Sequence, residues 1–385
     1  MPKLFLHSGA RFLAMCAQAL RRALVPRPFI LLRRLMALLV FIPLVSLVQL
    51  VNWLCLGLDE MVFPRYRQVR VEDPVFIVGI PRSGTTLLHR ALAEDEGFST
   101  FTAWECLFAP SLIQRHAFTG LGRLDRLFGR PLGRLAGWFE ARLAGPMASF
   151  HGTSLDAPEE DFLALLPAMA CFLLVLPFPE SRWVWSLGRF DEAVPARTRR
   201  LVMAFYRGLV QRHLYFHGSG RRFLSKNPSF SPMVASLRET FPSARIIACL
   251  RDPVETVPSQ LSSLKAAMAC FGHDPASPPF RDRMVGQLAW YYEHLLTQLP
   301  ASDENRHALV FMEELTDGLA ARVTALYQRL EVPMSGTFAR ALEDTGRSTA
   351  RFTSRHQYTM AAFGLSEAQI RSRFARAYER MGAAA

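Results

Sequence analysis

The chain has 385 residues, half of them apolar, and a formal net charge of +12. That length suits a single large α/β domain with a sizeable core, and the positive balance favours an anionic partner: nucleic acid, a membrane surface or a phosphate-bearing small molecule. Lys and Arg nowhere interleave with aromatics as a single-strand binder requires, and the six cysteines are scattered without a C-x-x-C pair. Nucleic acid, a disulfide framework and a zinc site are all disfavoured.

Residues 1–58 carry seven Lys or Arg and no acid, a balance that suits anionic lipid. Within them, "LMALLVFIPLVSLVQLVNWLCLGL" (Leu35–Leu58) is 24 residues without a charge, long enough to cross a bilayer. The alternative is a hydrophobic helix packed on the main domain. Residues 1–60 are expected to be membrane-associated, and Pro43 is expected to kink the apolar run. A single span oriented by the basic N-terminus would place the rest of the chain outside the cytoplasm. An in-plane segment would keep it inside.

Val75–Val78 is an apolar run ending at Gly79 and reads as a buried strand. The helical pattern of Thr85–Glu94 follows it across a tight turn. Three more strands are expected at Arg222–Asn227, Arg245–Leu250 and His307–Met312. Pro253 should open a helix, and the C-terminal "SEAQIRSRFARAYERM" should form an amphipathic helix capped by Ser366. Strands alternating with helices predict a P-loop-type, doubly wound parallel sheet over 71–385, with a long helical insert at about 100–220. "DAPEEDFLALLPAM" is expected to open a helix in that insert, with Glu159 and Glu160 as capping and helix-dipole residues.

The turn "GIPRSGTT" spaces Gly79 and Gly84 as in a phosphate-binding loop, with Thr86 in the hydroxyl slot. Thr85 stands where a nucleoside triphosphatase has lysine, and Arg82 supplies a cationic fork instead. Backbone amides at a helix N-terminus still form an anion cradle. No downstream acid ends an apolar strand to hold magnesium, so a shorter phosphate group held without a metal is expected.

"PRSGTTLL" after an apolar strand resembles the 5′-phosphosulfate loop of sulfotransferases that use 3′-phosphoadenosine 5′-phosphosulfate (PAPS). "RIIACLRDPVETVPSQLSSL" is similar to that family's 3′-phosphate motif, "FLSKNPSF" to its Lys-(Ser/Asp)-Pro motif, and "VFMEELTDGLAARVTALYQRL" to its Tyr-Glu-Asp-Leu stretch. The resemblance runs from about Val71 to the C-terminus and is greatest to the bacterial branch related to tyrosylprotein sulfotransferases. Two departures stand out: Asn227 follows Lys226, and Phe311-Met312 stands where a tyrosine is common.

The resemblance implies that Pro81, Arg82, Ser83, Gly84, Thr85 and Thr86 bind the 5′-phosphate, and that Arg251 and Ser259 bind the 3′-phosphate. Arg82 and Lys226 would stabilise the leaving group. Glu105 in "TAWECL" takes the place of the base in tyrosylprotein sulfotransferases, and His151 in "FHGTSLDAPEED" is the second base expectation. PAPS is the expected cosubstrate, with no metal. The aromatic insert and the apolar N-terminus point to a lipophilic hydroxyl acceptor: a lipid, sterol or glycolipid. Because PAPS is made in the cytosol, a bacterial protein should face the cytoplasm on an in-plane segment, whereas a Golgi protein would carry a single span and a lumenal domain. The Ala-Arg-Leu-rich composition favours the bacterial case. The competing classes are a nucleotide kinase or NTPase, which the missing loop lysine opposes, and a non-catalytic membrane scaffold, which the retained Arg82, Lys226, Arg251 and Ser259 oppose.

Overall fold

The computed structural model describes residues 2–23, 28–131, 133–134, 137–138, 157–299, 305–349 and 359–384. His151 lies outside these residues, as does Asp156. Five strands form one parallel sheet: β1 (Val75–Gly79), β2 (Phe98–Ser99), β3 (Arg222–Lys226), β4 (Arg245–Leu250) and β5 (His307–Phe311). Their order is β2-β3-β1-β4-β5, with Gly79 in register with Cys249 and Ile77 with Lys226. The four longer strands lie where the apolar runs predict them. The two-residue β2 is too short to leave a periodic signal.

Side chains alternate between the faces of each strand, and the core divides accordingly. Phe76, Val78, Ile246 and Ala248 join one buried cluster; Val75, Ile77, Ile247 and Cys249 join the other. Helix α3 (Thr85–Ala93) and the helix Met312–Arg329 cover the second face. The first face carries the helical insert, including α4 (Ala103–Phe108) and the helix Ala196–His217, against which α5 (Leu112–Leu127) packs. Both faces are thus closed by helices, as a parallel sheet requires.

Helices α1 (Pro2–Ala23) and α2 (Pro28–Val62) pack into that same first-face cluster through Leu4, Phe12, Met15, Leu38 and Leu56. Helix α2 runs unbroken through Pro43. Neighbouring groups hold it down: Arg34 pairs with Glu180 at 3.3 Å, and Trp53 donates its indole N–H to the Pro167 carbonyl at 3.0 Å. Asp59 is fully buried, accepts from the α5 backbone amides of Leu112 and Ile113 at 2.8 and 3.0 Å, and pairs with Arg212 at 2.8 Å.

The expected helix at "DAPEEDFLALLPAM" is instead a short 3₁₀ turn, Asp161–Leu165. The Glu159 amide bonds to the Phe101 carbonyl, and Pro158 bridges to Thr102, so this stretch is tied edge-on to the segment before α4. The C-terminal helix is capped by Ser366 as expected and breaks at Phe374 into Glu367–Arg373 and Ala375–Ala384.

Candidate active site

The strand order reverses at β1, whose neighbours β3 and β4 lead away in opposite directions. Ligands of open parallel sheets bind at such a switch point, off the carboxyl ends of the strands. The loop after β1, Lys226 at the end of β3 and Arg251 just beyond β4 all sit on that edge.

The loop is held by its own backbone. Ile80 N–H donates to the Cys249 carbonyl at 2.9 Å, and the buried Ser83 hydroxyl donates to the carbonyls of Ile80 and Cys249 at 2.6 and 2.9 Å. A Cβ on Gly79 would lie 2.3 Å from the Cys249 oxygen, so only glycine lets β1 and β4 approach here. Arg82 adopts the left-handed region at φ 70°, which costs on the order of 1 kcal/mol for a residue with a Cβ.

The predicted phosphate-binding residues converge. The Arg82 Nε donates to the Ser259 Oγ at 3.2 Å, although the two are 177 positions apart. Arg251 donates to the Arg82 carbonyl at 3.3 Å. Thr85 and Thr86 open α3, and the Thr86 hydroxyl lies 3.3 Å from the Lys226 Nζ. Arg251 is neutralised locally by an ion pair with Glu255 one turn into the helix Pro253–Cys270. Tyr292 pins the Arg251 carbonyl at 2.5 Å.

Glu160 is the residue that sequence reasoning misassigned. Its side chain makes no helix cap; it accepts from Lys226 Nζ at 2.7 Å. Lys226 is buried, so its ammonium is held between Glu160 and the loop threonine. The adjacent Asp161 is fully buried and accepts from the Tyr206 hydroxyl; burial raises its carboxyl to about 7. The pattern "PEED" gave a capping signal, and only the fold shows that it lies opposite the end of β3.

Glu105 lies in a buried polar cluster. Its carboxylate completes the Thr102 capping box of α4, pairs with Arg115 at 3.1 Å and accepts from His217 Nε2 at 2.6 Å. Arg115 also donates to His213 Nδ1 at 3.1 Å, and His213 Nε2 meets the Ser99 hydroxyl at 2.7 Å. Burial pushes the Glu105 carboxyl up, but the Arg115 charge and the two histidines outweigh it and hold it well below the usual range. Burial lowers His213 to about 4, so it is neutral here. The ligand-type atoms of Glu105, His213 and His217 lie within 4.8 Å of one another. The Arg115 guanidinium already supplies the positive charge that a cation would bring to that group.

A parallel sheet with an arginine-bearing phosphate loop at its switch point, facing a second arginine–serine pair and a buried lysine, defines a class of transferases for phosphate-linked donors. The chain belongs to the sulfotransferase family, whose profile matches residues 74–336. It is 27% identical over 293 residues to the omega-hydroxy-beta-dihydromenaquinone-9 sulfotransferase Stf3 of Mycobacterium tuberculosis, covering 72% of this chain and 68% of that one. The same protein from Mycobacterium bovis matches equally. The fold is similar to that of the sulfotransferase STF9 from Mycobacterium avium, with TM-score 0.72, 18% identity and coverage of 98% and 96% of the two chains. It is also similar to STF1 from Mycobacterium tuberculosis, with TM-score 0.60, 19% identity and coverage of 85% and 83%.

Proposed function

We infer that this chain moves a sulfuryl group from PAPS to the hydroxyl of a lipophilic acceptor. The observation that carries the reading is the meeting of the two phosphate motifs, Arg82 on Ser259 and Arg251 on the Arg82 carbonyl, beside the buried Lys226. Loop amides and Arg82 would hold the 5′-phosphosulfate, and Arg251 with Ser259 the 3′-phosphate, as fork and hydroxyl donors suit tetrahedral anions.

In the transfer, the acceptor oxygen forms a bond to sulfur as the bond from sulfur to the 5′-phosphate oxygen breaks. The electron pair leaves on the phosphate, where Lys226 and Arg82 meet the developing charge. The acceptor proton passes to a carboxylate. Glu160 is favoured for that role over Glu105, because Glu160 stands at Lys226 whereas Glu105 is closed off by Arg115, His213 and His217. A base must reach the acceptor proton before its acidity matters.

The acceptor class rests on two supports. A relative of this chain is named for an omega-hydroxy menaquinone acceptor, and apolar side chains crowd the exposed surface of α1 and α2. A membrane-associated protein facing the cytoplasm would have both substrates within reach. Incubating the purified full-length protein with radiolabelled PAPS and a lipid extract tests the reading: label should enter the organic phase, and label confined to water-soluble product would sink the lipophilic acceptor.

A further inference from the structure

Among the described residues, every large apolar side chain that is exposed lies on residues 5–62 or 108–138, Tyr215 alone excepted. Tyr215 itself packs against Phe63, at the end of α2. The remainder of the sulfotransferase fold exposes none, so the apolar surface is a single region built by α1, α2 and α5. Patches of that extent on a folded domain mark an interaction surface.

Helix α2 has two faces of different character. Arg34, Leu38, Gln49, Asn52, Leu56 and Asp59 are buried against the domain. Met36, Val40, Leu44, Leu47, Leu54 and Leu58 are exposed on the opposite side, at intervals of three to four or their multiples. The buried stripe from Arg34 to Asp59 extends about 37 Å at 1.5 Å per residue, more than the roughly 30 Å of a bilayer's hydrocarbon layer. The domain is fastened along that whole stripe by the Arg34–Glu180 pair, the Trp53–Pro167 bond and the Asp59–Arg212 pair. A helix held in this way cannot cross a bilayer unless the domain enters it too.

Helix α5 continues the same surface. Phe118, Leu121, Leu124 and Phe128 form an exposed stripe on it, and α5 is fixed to α2 by the Asp59 carboxylate at its N-terminus and by the Gln114–Asn52 bond of 2.8 Å. Arg123 and Arg126 are exposed on α5 and Arg130 just beyond its end, and Lys3, Arg21 and Arg33 are exposed on α1 and α2. Cations bordering an apolar face match an anionic bilayer surface.

We propose that α1, α2 and α5 together form a monotopic surface that seats the protein in one leaflet of an anionic phospholipid bilayer, with α2 lying in the membrane plane. This goes beyond the sulfuryl-transfer reading, and its test does not depend on turnover. Full-length protein is floated with vesicles of phosphatidylcholine containing about 30% phosphatidylglycerol. The triple variant Leu121→Glu/Leu124→Glu/Phe128→Glu, at positions already exposed, should partition at least tenfold less than the unaltered chain. Arg123→Glu/Arg126→Glu/Arg130→Glu should lose binding to the anionic vesicles and keep its binding to pure phosphatidylcholine. Nitroxide depth measurements supply a second readout, at Leu39→Cys, Leu47→Cys and Leu54→Cys in a chain carrying Cys55→Ser and Cys270→Ser. The three labels should lie at similar depths. A depth difference near 22 Å between positions 39 and 54, the value for a helix along the bilayer normal, would overturn the in-plane placement. Unchanged flotation of the α5 variant would overturn the α5 contribution; if that variant also converts a detergent-solubilised dimer to monomer, a second copy of the chain is the occupant instead.

Discussion

Replacing Glu105 with glutamine separates a structural carboxylate from a catalytic one. Glutamine keeps the size of the side chain and can still serve the Thr102 capping box. It removes the charge that faces Arg115, which is fully buried with no other carboxylate within ion-pair distance among the described residues. Leaving one member of a buried pair uncompensated costs about 3–5 kcal/mol. With an unfolding entropy of about 2.1 cal/mol/K per residue, a chain of 385 residues has roughly 0.8 kcal/mol/K, so the melting temperature should fall by about 4–6 °C. The Glu105 carboxyl is depressed in the fold, so its contribution is present above the unfolded value near 4.5 and is lost as pH falls through the folded value. The Tm gap between Glu105→Gln and the unaltered protein should therefore be full at pH 7 and narrow under acid conditions. Turnover per folded molecule, by steady-state assay well below the lowered Tm, should stay within about threefold. In Glu160→Gln the pattern reverses, with kcat falling about 10²–10⁴-fold as expected for loss of a general base. A Glu105→Gln protein with unchanged Tm and a hundredfold loss of kcat would refute the assignment and return the base to Glu105.

Lys226→Ala should lower kcat by about 10²–10³-fold, the range for removing one donor to developing charge, while calorimetry finds the affinity for the desulfated donor within about threefold. Glu255→Gln frees Arg251 from its ion pair and removes a carboxylate from beside the 3′-phosphate position; the donor's Kd should fall about threefold, an effect of ~0.6 kcal/mol typical of exposed pairs, and a weaker Kd would contradict the placement of that phosphate. Asp161 titrates near 7 because burial raises it from 3.8, so its contribution is full below the unfolded value and is lost as pH rises toward 7, at up to about 1.4 kcal/mol per pH unit. Chemical denaturation at pH 5, 6, 7 and 8 should show Asp161→Asn gaining on the unaltered protein up to about pH 7 and then running parallel; parallel curves throughout would exclude an Asp161 carboxyl that is neutral in the fold.

Much of this site was legible because its chemistry sits at strand ends. An apolar run that ends in glycine and opens a helix with threonines announces Gly79–Thr86, and Arg251 and Lys226 likewise close apolar strands. Their meeting could be anticipated from a parallel sheet, since all its carboxyl ends share one edge. Glu160 and Glu105 were not legible for the same reason that they differ. Both follow helix-start patterns, and local spacing carries no information about which one a distant strand will face. The decisive partners, Lys226 for one and Arg115 with His213 for the other, are set by the crossing of the insert over the sheet. For α2, composition reveals an apolar helix but not its buried polar stripe, because Arg34, Gln49 and Asn52 become meaningful only once Glu180 and Gln114 are brought to them.

The Lys226–Glu160 pair also bears on the order in which substrates are used. In the structure the two neutralise each other at 2.7 Å. A phosphosulfate in the adjacent loop competes for the same ammonium, and it brings more negative charge than a single carboxylate. Drawing Lys226 toward the donor, past the Thr86 hydroxyl that it already touches at 3.3 Å, would free the Glu160 oxygen that now accepts from it to accept from the acceptor hydroxyl instead. On the proposed sulfuryl-transfer reading, the same movement would bring the cation to the leaving group and free the carboxylate for the acceptor proton. Without a donor bound, the acceptor hydroxyl meets a carboxylate that is already satisfied. The proposed reading therefore predicts donor-first binding: an acceptor analogue lacking the hydroxyl should inhibit uncompetitively against PAPS in initial-rate patterns. Competitive or noncompetitive inhibition by that analogue against PAPS would mean that the acceptor binds without the donor and would refute the order.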